Sequence, residues 1–592
     1  MNKKKNRAYY LFVLSRYIQN YRIKFFFGAI INIVYKIVPV AIAFLVSYMV
    51  GAGITGRVYE VKTFFIITVV IIVLGGIFHF LDIYVFHDIA YQVLADLRNE
   101  AYKVIDKIAP GGMEGKQSGD IVNIVMRDIN MLEMFYAHTL GQMITALVVP
   151  LSALNIMEHF SLYLSAAMVP FIIALICIPI INSKKSNMQG QALAQEMGKL
   201  NASIVDGVQG LQDIISFRRQ KEYLKTIFGI NDSYNTFSLD YAIRAGKEAR
   251  LVDLIIGLAN LTAKIIIISL VIASKIEAVW LLPLFIITGL IYGPLLEVMA
   301  VSNKFGIIFS SAERVFNLLQ MKASVEDSGK IRYEEVNTKN LEIRFDAVHF
   351  KYPHTFEEEN KSVLKGLSFE LKSGESLALV GASGEGKSTA AKLLQRFWDI
   401  DAGNITINGI DIKSFSLETL RNLITVVPQD IYLFNRSIKE NIRLAKQTAS
   451  DAELEEALKK ARLEDIRQRF ENGWDTIVGE RAVRLSGGEK SRIALAQAFL
   501  KDSPILVLDE ASANLDSENE SKINEAVNTL KEGRVVLIIA HRLSTIKAAD
   551  RIIVLKDGRV EAEGTFEELT QSSDYFRELI GDAGTATAQD IF

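Results

Sequence analysis

Apolar residues gather into six stretches in the first half of the chain, each close to the ~20 residues that span ~30 Å of hydrocarbon. They fall at about 25–50, 64–87, 139–157, 160–181, 251–274 and 279–303. Ahead of them, Tyr9 to Tyr21 mixes Leu11, Phe12, Leu14, Tyr17 and Ile18 with Arg16 and Gln19. That mixture predicts an amphipathic helix on the membrane surface, or else an extension of the first span. Stretches two to three and four to five are joined by long polar helical segments; the other joins are short. The basic N-terminus, and short outer loops with few Lys or Arg, put both termini and both long connections on the cytoplasmic side.

The texture changes at Leu341. Short runs such as LEIRFDAVHF, SLALV, ITVVP, ILVLD and VVLIIA alternate with helical patterns, which predicts an α/β domain with a largely parallel sheet. The expected division is a membrane domain at 1–320, a charged linker at 321–340, the α/β domain at 341–580 and a disordered tail at 581–592. Composition agrees with a partly embedded chain: 50% of the 592 residues are hydrophobic and the mean hydropathy is +0.22. The formal net charge of −2 offers no basic surface for a nucleic acid. Cys177 is the one cysteine, so neither an intrachain disulfide nor a cysteine metal cluster can form.

The chemistry is concentrated in the second half. GASGEGKST, Gly381 to Thr389, follows an apolar strand and precedes a helical run, the order of a phosphate-binding loop. Gly381, Gly384 and Gly386 let backbone N–H groups, with Ser383 among them, curl around phosphates at a helix N-terminus. Lys387 is placed to reach the β- and γ-phosphates, and Ser388 to ligate Mg²⁺. ILVLDE puts Asp509 and Glu510 at the C-terminal end of a buried strand; Asp509 suits Mg²⁺ and Glu510 suits a general base. LSGGE places Ser486, Gly487 and Gly488 at the start of a second helix, a further anion site. One nucleotide does not need two such sites from one chain, so the second is expected to close on ATP held by another subunit. Gln429 and His541 each follow a strand end within reach of a γ-phosphate.

Taken together and in this order, the motifs resemble the nucleotide-binding domain of an ABC transporter, and nearly the whole chain resembles an exporter-fold half-transporter. The resemblance implies that Tyr352 stacks on adenine and that GASGEGKST, including Thr389, is the phosphate loop. It further implies that Gln429 senses Mg²⁺ and the attacking water, Glu510 is the catalytic glutamate and His541 the switch histidine. Asp516, in ASANLD, corresponds to the dimer-contact loop. Glu489 stands where the family usually has glutamine. KQSGDIVNIVMRDINMLE and DGVQGLQDIISFRRQ look like its two intracellular loops. FHDIAYQVLADLR and KIAP carry a weaker likeness to the thiol or haem exporter subunits of cytochrome bd assembly. The expected cofactors are ATP and Mg²⁺. The expected partners are a second half-transporter, membrane lipid and a small-molecule cargo, without nucleic acid, in the cytoplasmic membrane of a prokaryote.

Among the polar residues within the spans, Lys36 and Lys264 lie midway across and Asp82 and Glu297 nearer the cytoplasm. Such residues face a bundle interior or a wet cavity. They are read either as a basic translocation cavity that favours an anionic or zwitterionic cargo, or as lysines paired with carboxylates. Export is the expected direction, with import of a siderophore- or vitamin-like compound as the alternative. A nucleotide-gated channel and a soluble ATPase are the competing classes.

Overall fold

The computed structural model describes residues 7–113, 118–302, 304–353, 362–479, 482–509, 517–540 and 542–589. It divides into two compact units. The first comprises Met1–Asp106 and Lys116–Met321, the second Lys107–Gly115 and Lys322–Phe592. Helices of eight residues or more are labelled below.

The first unit is helical. It contains α1 (Arg7–Tyr17), α2 (Arg22–Ile54), α3 (Val58–Ile108), α4 (Leu140–Phe160), α5 (Leu162–Gln209), α6 (Gln220–Ile272), α7 (Leu281–Leu290), α8 (Gly293–Ser302) and α9 (Phe305–Leu319). Among the described residues six helical segments are long and apolar enough to cross a membrane. Phe65, Val73 and Phe80 on α3 are well exposed, as a lipid-facing surface requires. A 3₁₀ turn at Ile18–Tyr21 lies between α1 and α2. This junction is tied to α3: Tyr17 donates to Glu100 at 2.8 Å and Tyr21 to Asp96 at 2.7 Å.

The spans extend far past the bilayer. The 51 residues of α3 measure about 77 Å at 1.5 Å per residue, more than twice the hydrocarbon thickness. The 48 residues of α5 and 53 of α6 pack together along a hairpin whose tip is a short helix, Leu211–Ser216. Polar side chains hold the wet part of this hairpin: buried Arg244 donates to Gln189 at 2.7 Å and to Glu248 at 2.6 Å. The segment matching the first intracellular loop winds as a π-helix at Ile124–Asp128. Its Asp128 is fully buried and accepts two hydrogen bonds from Arg314 on α9, 2.5 Å from Nε and 2.8 Å from Nη2, with a third from Ser311 at 3.2 Å. This carboxylate holds the Arg314 guanidinium above its ordinary pKa.

Inside the bundle small residues admit large ones. Phe86 of α3 is buried between Gly28 of α2 and Gly141 of α4. A Cβ on Gly141 would stand 2.9 Å from Phe86 Cζ, and one on Gly28 2.9 Å from Val85 Cγ1. Three helices are thereby locked in register about one ring.

The second unit is α/β. Its strands are β1 (Glu342–Phe350), β2 (Leu364–Lys372), β3 (Ser376–Val380), β4 (Ala402–Ile407), β5 (Ile410–Asp411), β6 (Ile424–Val427), β7 (Ile505–Asp509), β8 (Val535–Ile539), β9 (Arg551–Lys556) and β10 (Arg559–Gly564). The labelled helices are α10 (Lys387–Leu394), α11 (Asp451–Lys460), α12 (Gly487–Lys501), α13 (Ser517–Lys531) and α14 (Asp574–Gln589). A six-stranded sheet has the order β10-β9-β3-β8-β7-β6 and is parallel except for β10. A second, antiparallel sheet has the order β2-β1-β4-β5, which the sequence pattern did not separate from the first. The last helix also differs from expectation: the stretch from 581, read as a disordered tail, is helical as far as Gln589. Fully buried Phe576 anchors its first turn.

Successive residues of a strand face opposite sides, and the six-stranded sheet uses this to serve two cores. Leu377, Leu379, Ile505, Val507, Leu537 and Ile539 join one with α10 and the antiparallel sheet. Ala378, Val380, Leu506, Leu508, Val536 and Ile538 join the other with α11, α12 and α13.

Candidate functional site

The phosphate loop leaves the C-terminal end of β3 and re-enters helix at Lys387. Gly384 and Gly386 have φ of +91° and +95°, which an L side chain rarely adopts. At Gly386 space forbids one as well, since a Cβ would lie 2.5 Å from Leu364 Cδ2. The result is a backbone cradle ending at the N-terminus of α10. Lys387 is buried, and its Nζ donates to Gly381 O at 2.6 Å and Ala382 O at 2.8 Å. The amine therefore lies against the loop backbone, with half-buried Ser388 beside it. Tyr352 OH and Thr389 Oγ1 are 3.0 Å apart, which puts the ring expected to stack on adenine next to α10. Trp398 meets that ring edge-to-face at 5.1 Å.

Strand register assembles the rest of the edge. Leu379, Ile539 and Asp509 lie in one row across β3, β8 and β7. Two strand spacings put Asp509 about 10 Å from Leu379. By alternation Asp509 shares the sheet face of Ile505 and Val507, which is the face that carries α10. Gln429 lies two residues past β6, itself paired to β7 through Val427 and Leu508. Glu510, Asp516 and His541 lie outside the described residues.

The second anion site is built by α12. Ser486 is its N-cap. Its Oγ accepts from Glu489 N at 3.3 Å, while the Glu489 carboxylate accepts from Ser486 N at 2.7 Å. This reciprocal capping box works with Glu or Gln at that position, which accounts for the glutamate here. Glu489 is buried and also pairs with Arg469 at 2.7 Å. Ser486 and Gly487 are exposed and Gly488 is buried. Because α12 packs in one core and α10 in the other, the phosphate loop and LSGGE helix of one chain stand on opposite faces of the sheet.

Residues 364–513 match the sequence profile of ABC transporters, and residues 25–295 that of the ABC transporter transmembrane region. The chain belongs to the ABC transporter family. It is 30% identical to an uncharacterized ABC transporter ATP-binding protein, YknV, of Bacillus subtilis over 92% of this chain and 89% of that one. A putative multidrug export ATP-binding/permease protein of Staphylococcus aureus is also 30% identical, over 96% of this chain and 99% of the relative. Among solved structures, a bacterial Atm1-family ABC exporter with ATP bound superposes with a TM-score of 0.81 at 25% identity. The alignment covers 95% of this chain and 98% of that one. The transporter is thus an exporter-fold half-transporter, an ATPase coupled to transport. It is a multi-pass protein of the prokaryotic cytoplasmic membrane with its nucleotide-binding domain in the cytoplasm.

Two of the intramembrane charges of this transporter engage one another. Lys36 Nζ donates to both oxygens of Glu297 at 2.5 and 2.6 Å, and Asn32 donates to Asp82 at 2.7 Å. Tyr35 and His79 rings stack at 4.5 Å beside them. Lys264 Nζ lies 5.9 Å from the Phe285 ring centroid. The Lys36–Glu297 pair is formally neutral. Sequence reasoning did not find the Asp128–Arg314 pair, whose partners lie 186 positions apart.

Proposed function

We propose that the transporter works as a dimer of half-transporters that exports a small molecule by alternating access. One observation carries the dimer: the two anion sites of one chain lie on opposite faces of its sheet, so one triphosphate cannot bridge them. ATP is then sandwiched between the Lys387 loop of one subunit and the Ser486–Gly488 helix end of the other. Lys387 and the loop N–H groups bind the phosphates, and Tyr352 stacks on the base. The donor set suits Mg²⁺: Ser388, Asp509 and Gln429 offer hard oxygen ligands around a cradle that excludes side chains at Gly386. When bound, the ion neutralises phosphate charge. Glu510 activates the attacking water and His541 holds the γ-phosphate, by their places in the motifs. Domain boundaries at 321–340 and the dimer contact at Asp516 belong to the same proposal. The relative named for multidrug export supports an outward direction.

Glu510→Gln tests this reading. It should retain ATP binding, lose most turnover and accumulate a closed dimer, measured by vanadate-free nucleotide trapping and by size in lipid nanodiscs. Undiminished hydrolysis would remove Glu510 from the mechanism. ATP-driven accumulation of cargo inside inside-out vesicles should follow from export; depletion would reverse the direction.

A further inference from the structure

We propose that His87, Glu133 and His138 form a binding site for a divalent transition metal of the Zn²⁺ class at the cytoplasmic end of spans two and three. His87 is on α3, where span two ends. Glu133 and His138 open and close the six-residue helix that leads into α4. One ligand atom from each lies within 4.8 Å of the other two, His87 Nε2 and Glu133 Oε1 being 3.9 Å apart. Ligands about 2.0–2.1 Å from a tetrahedral ion stand about 3.3 Å from one another, so small side-chain rotations close the set.

Two further features prepare these residues for an ion. His87 Nδ1 lies 2.9 Å from the carbonyl oxygen of Ile83. A carbonyl only accepts, so a hydrogen bond here is donated by Nδ1–H, and in the neutral ring that leaves the Nε2 lone pair, on the side facing Glu133, for an ion. Fixing the tautomer through the second ring nitrogen is how metal-ligating histidines are oriented. The backbone on both sides is also held. Phe86 is gripped by Gly28 and Gly141, and Asp88 pairs with Lys24 at 3.0 Å. Residue 87 therefore faces the turn that carries His138, whose ring meets that of His87 edge-to-face at 5.0 Å.

Two imidazoles and one carboxylate make a borderline donor set that suits Zn²⁺, Co²⁺ or Ni²⁺ over Mg²⁺ or Ca²⁺. With three protein ligands the fourth position is left for water or another small ligand. An ion there joins α3 to the entry of α4.

The test uses full-length protein in lipid nanodiscs, freed of metal by chelator. Zn²⁺ titration followed by calorimetry and elemental analysis should give one ion per chain and raise the thermal midpoint. Co²⁺ should give the intense visible absorption of a tetrahedral site. Glu133→Gln, His138→Gln and His87→Gln should each weaken Zn²⁺ binding and abolish the Co²⁺ band, while His79→Ala and His159→Ala keep both. Glu133→Gln and His138→Gln leave the Phe86 packing untouched, so loss in these two is not a folding defect. Wild-type protein without a stoichiometric ion, or binding unchanged in His138→Gln and His87→Gln, overturns the site. None of these readouts depends on transport or ATP turnover.

Discussion

Breaking the Asp128–Arg314 pair should have unequal consequences from its two ends. The Asp128 side chain is 1% exposed and that of Arg314 41%. Arg314→Met strands a carboxylate that has no access to water, and breaking a buried pair this way costs about 3–5 kcal/mol. Ser311 still donates, and Arg127 Nε lies 3.6 Å away, so the lower half of that range is expected. Asp128→Ala leaves a guanidinium that can turn to solvent, so screening reduces the cost to about 1–2 kcal/mol. The double variant Asp128→Leu/Arg314→Met removes both charges and should lose less than the sum of the single losses. The assay is the half-life of ATPase activity at a fixed elevated temperature in nanodiscs. If the full cost appears in the unfolding barrier, each 1.36 kcal/mol shortens it tenfold. Arg314→Met should then fall about 150- to 900-fold and Asp128→Ala about tenfold. An Asp128→Ala protein as labile as Arg314→Met would refute the exposure argument. A double variant as labile as the sum would refute the coupling.

Three other outcomes are expected. Lys387→Ala removes a charged donor worth about 1.5–3 kcal/mol, so ATP affinity measured by fluorescent-nucleotide displacement should fall about 10- to 150-fold; unaltered affinity would count against the phosphate loop. Glu489→Gln should keep the α12 capping box and most ATPase activity, whereas Glu489→Ala loses the cap at about 0.5–2 kcal/mol; equal behaviour would mean that the Arg469 pair matters more than the cap. Glu297→Met should destabilise the transporter by stranding Lys36, whose side chain is 17% exposed against 43% for Glu297, and adding Lys36→Met should recover much of that stability. Failure of the second change to rescue thermal stability would show that the pair is not a unit.

The spans and the phosphate loop were legible because each is encoded within a short window: an apolar run about as long as the bilayer is thick, and glycines whose positive φ only certain sequences permit. The order β3, β8, β7 could be anticipated only as an α/β alternation, since register is decided by pairing across 30 positions for β7 with β8 and 160 for β3 with β8. Lys36 illustrates the limit. Its partner Glu297 is 261 positions away, and one sequence cannot tell a paired lysine from one lining a cavity. His138 and Glu133 drew no notice because a histidine five residues after a glutamate has no metal spacing by itself; α3 supplies the third ligand. Among the described residues, 107–113 fall within the second unit. A Cβ on Gly111 would sit 2.4 Å from Phe397 O, a contact that no local pattern announces.

The sheet that keeps α10 and α12 on opposite faces also sets how defects combine between gene copies. In the proposed dimer each ATP site takes its loop from one chain and its LSGGE helix from the other. A chain carrying Lys387→Ala, paired with one carrying a lesion at Ser486, concentrates both faults in a single site and leaves the other whole. Both lesions on the same chain, paired with a normal partner, spoil both sites. The arrangement of two alleles, and not the number of mutations, then decides whether any intact site remains.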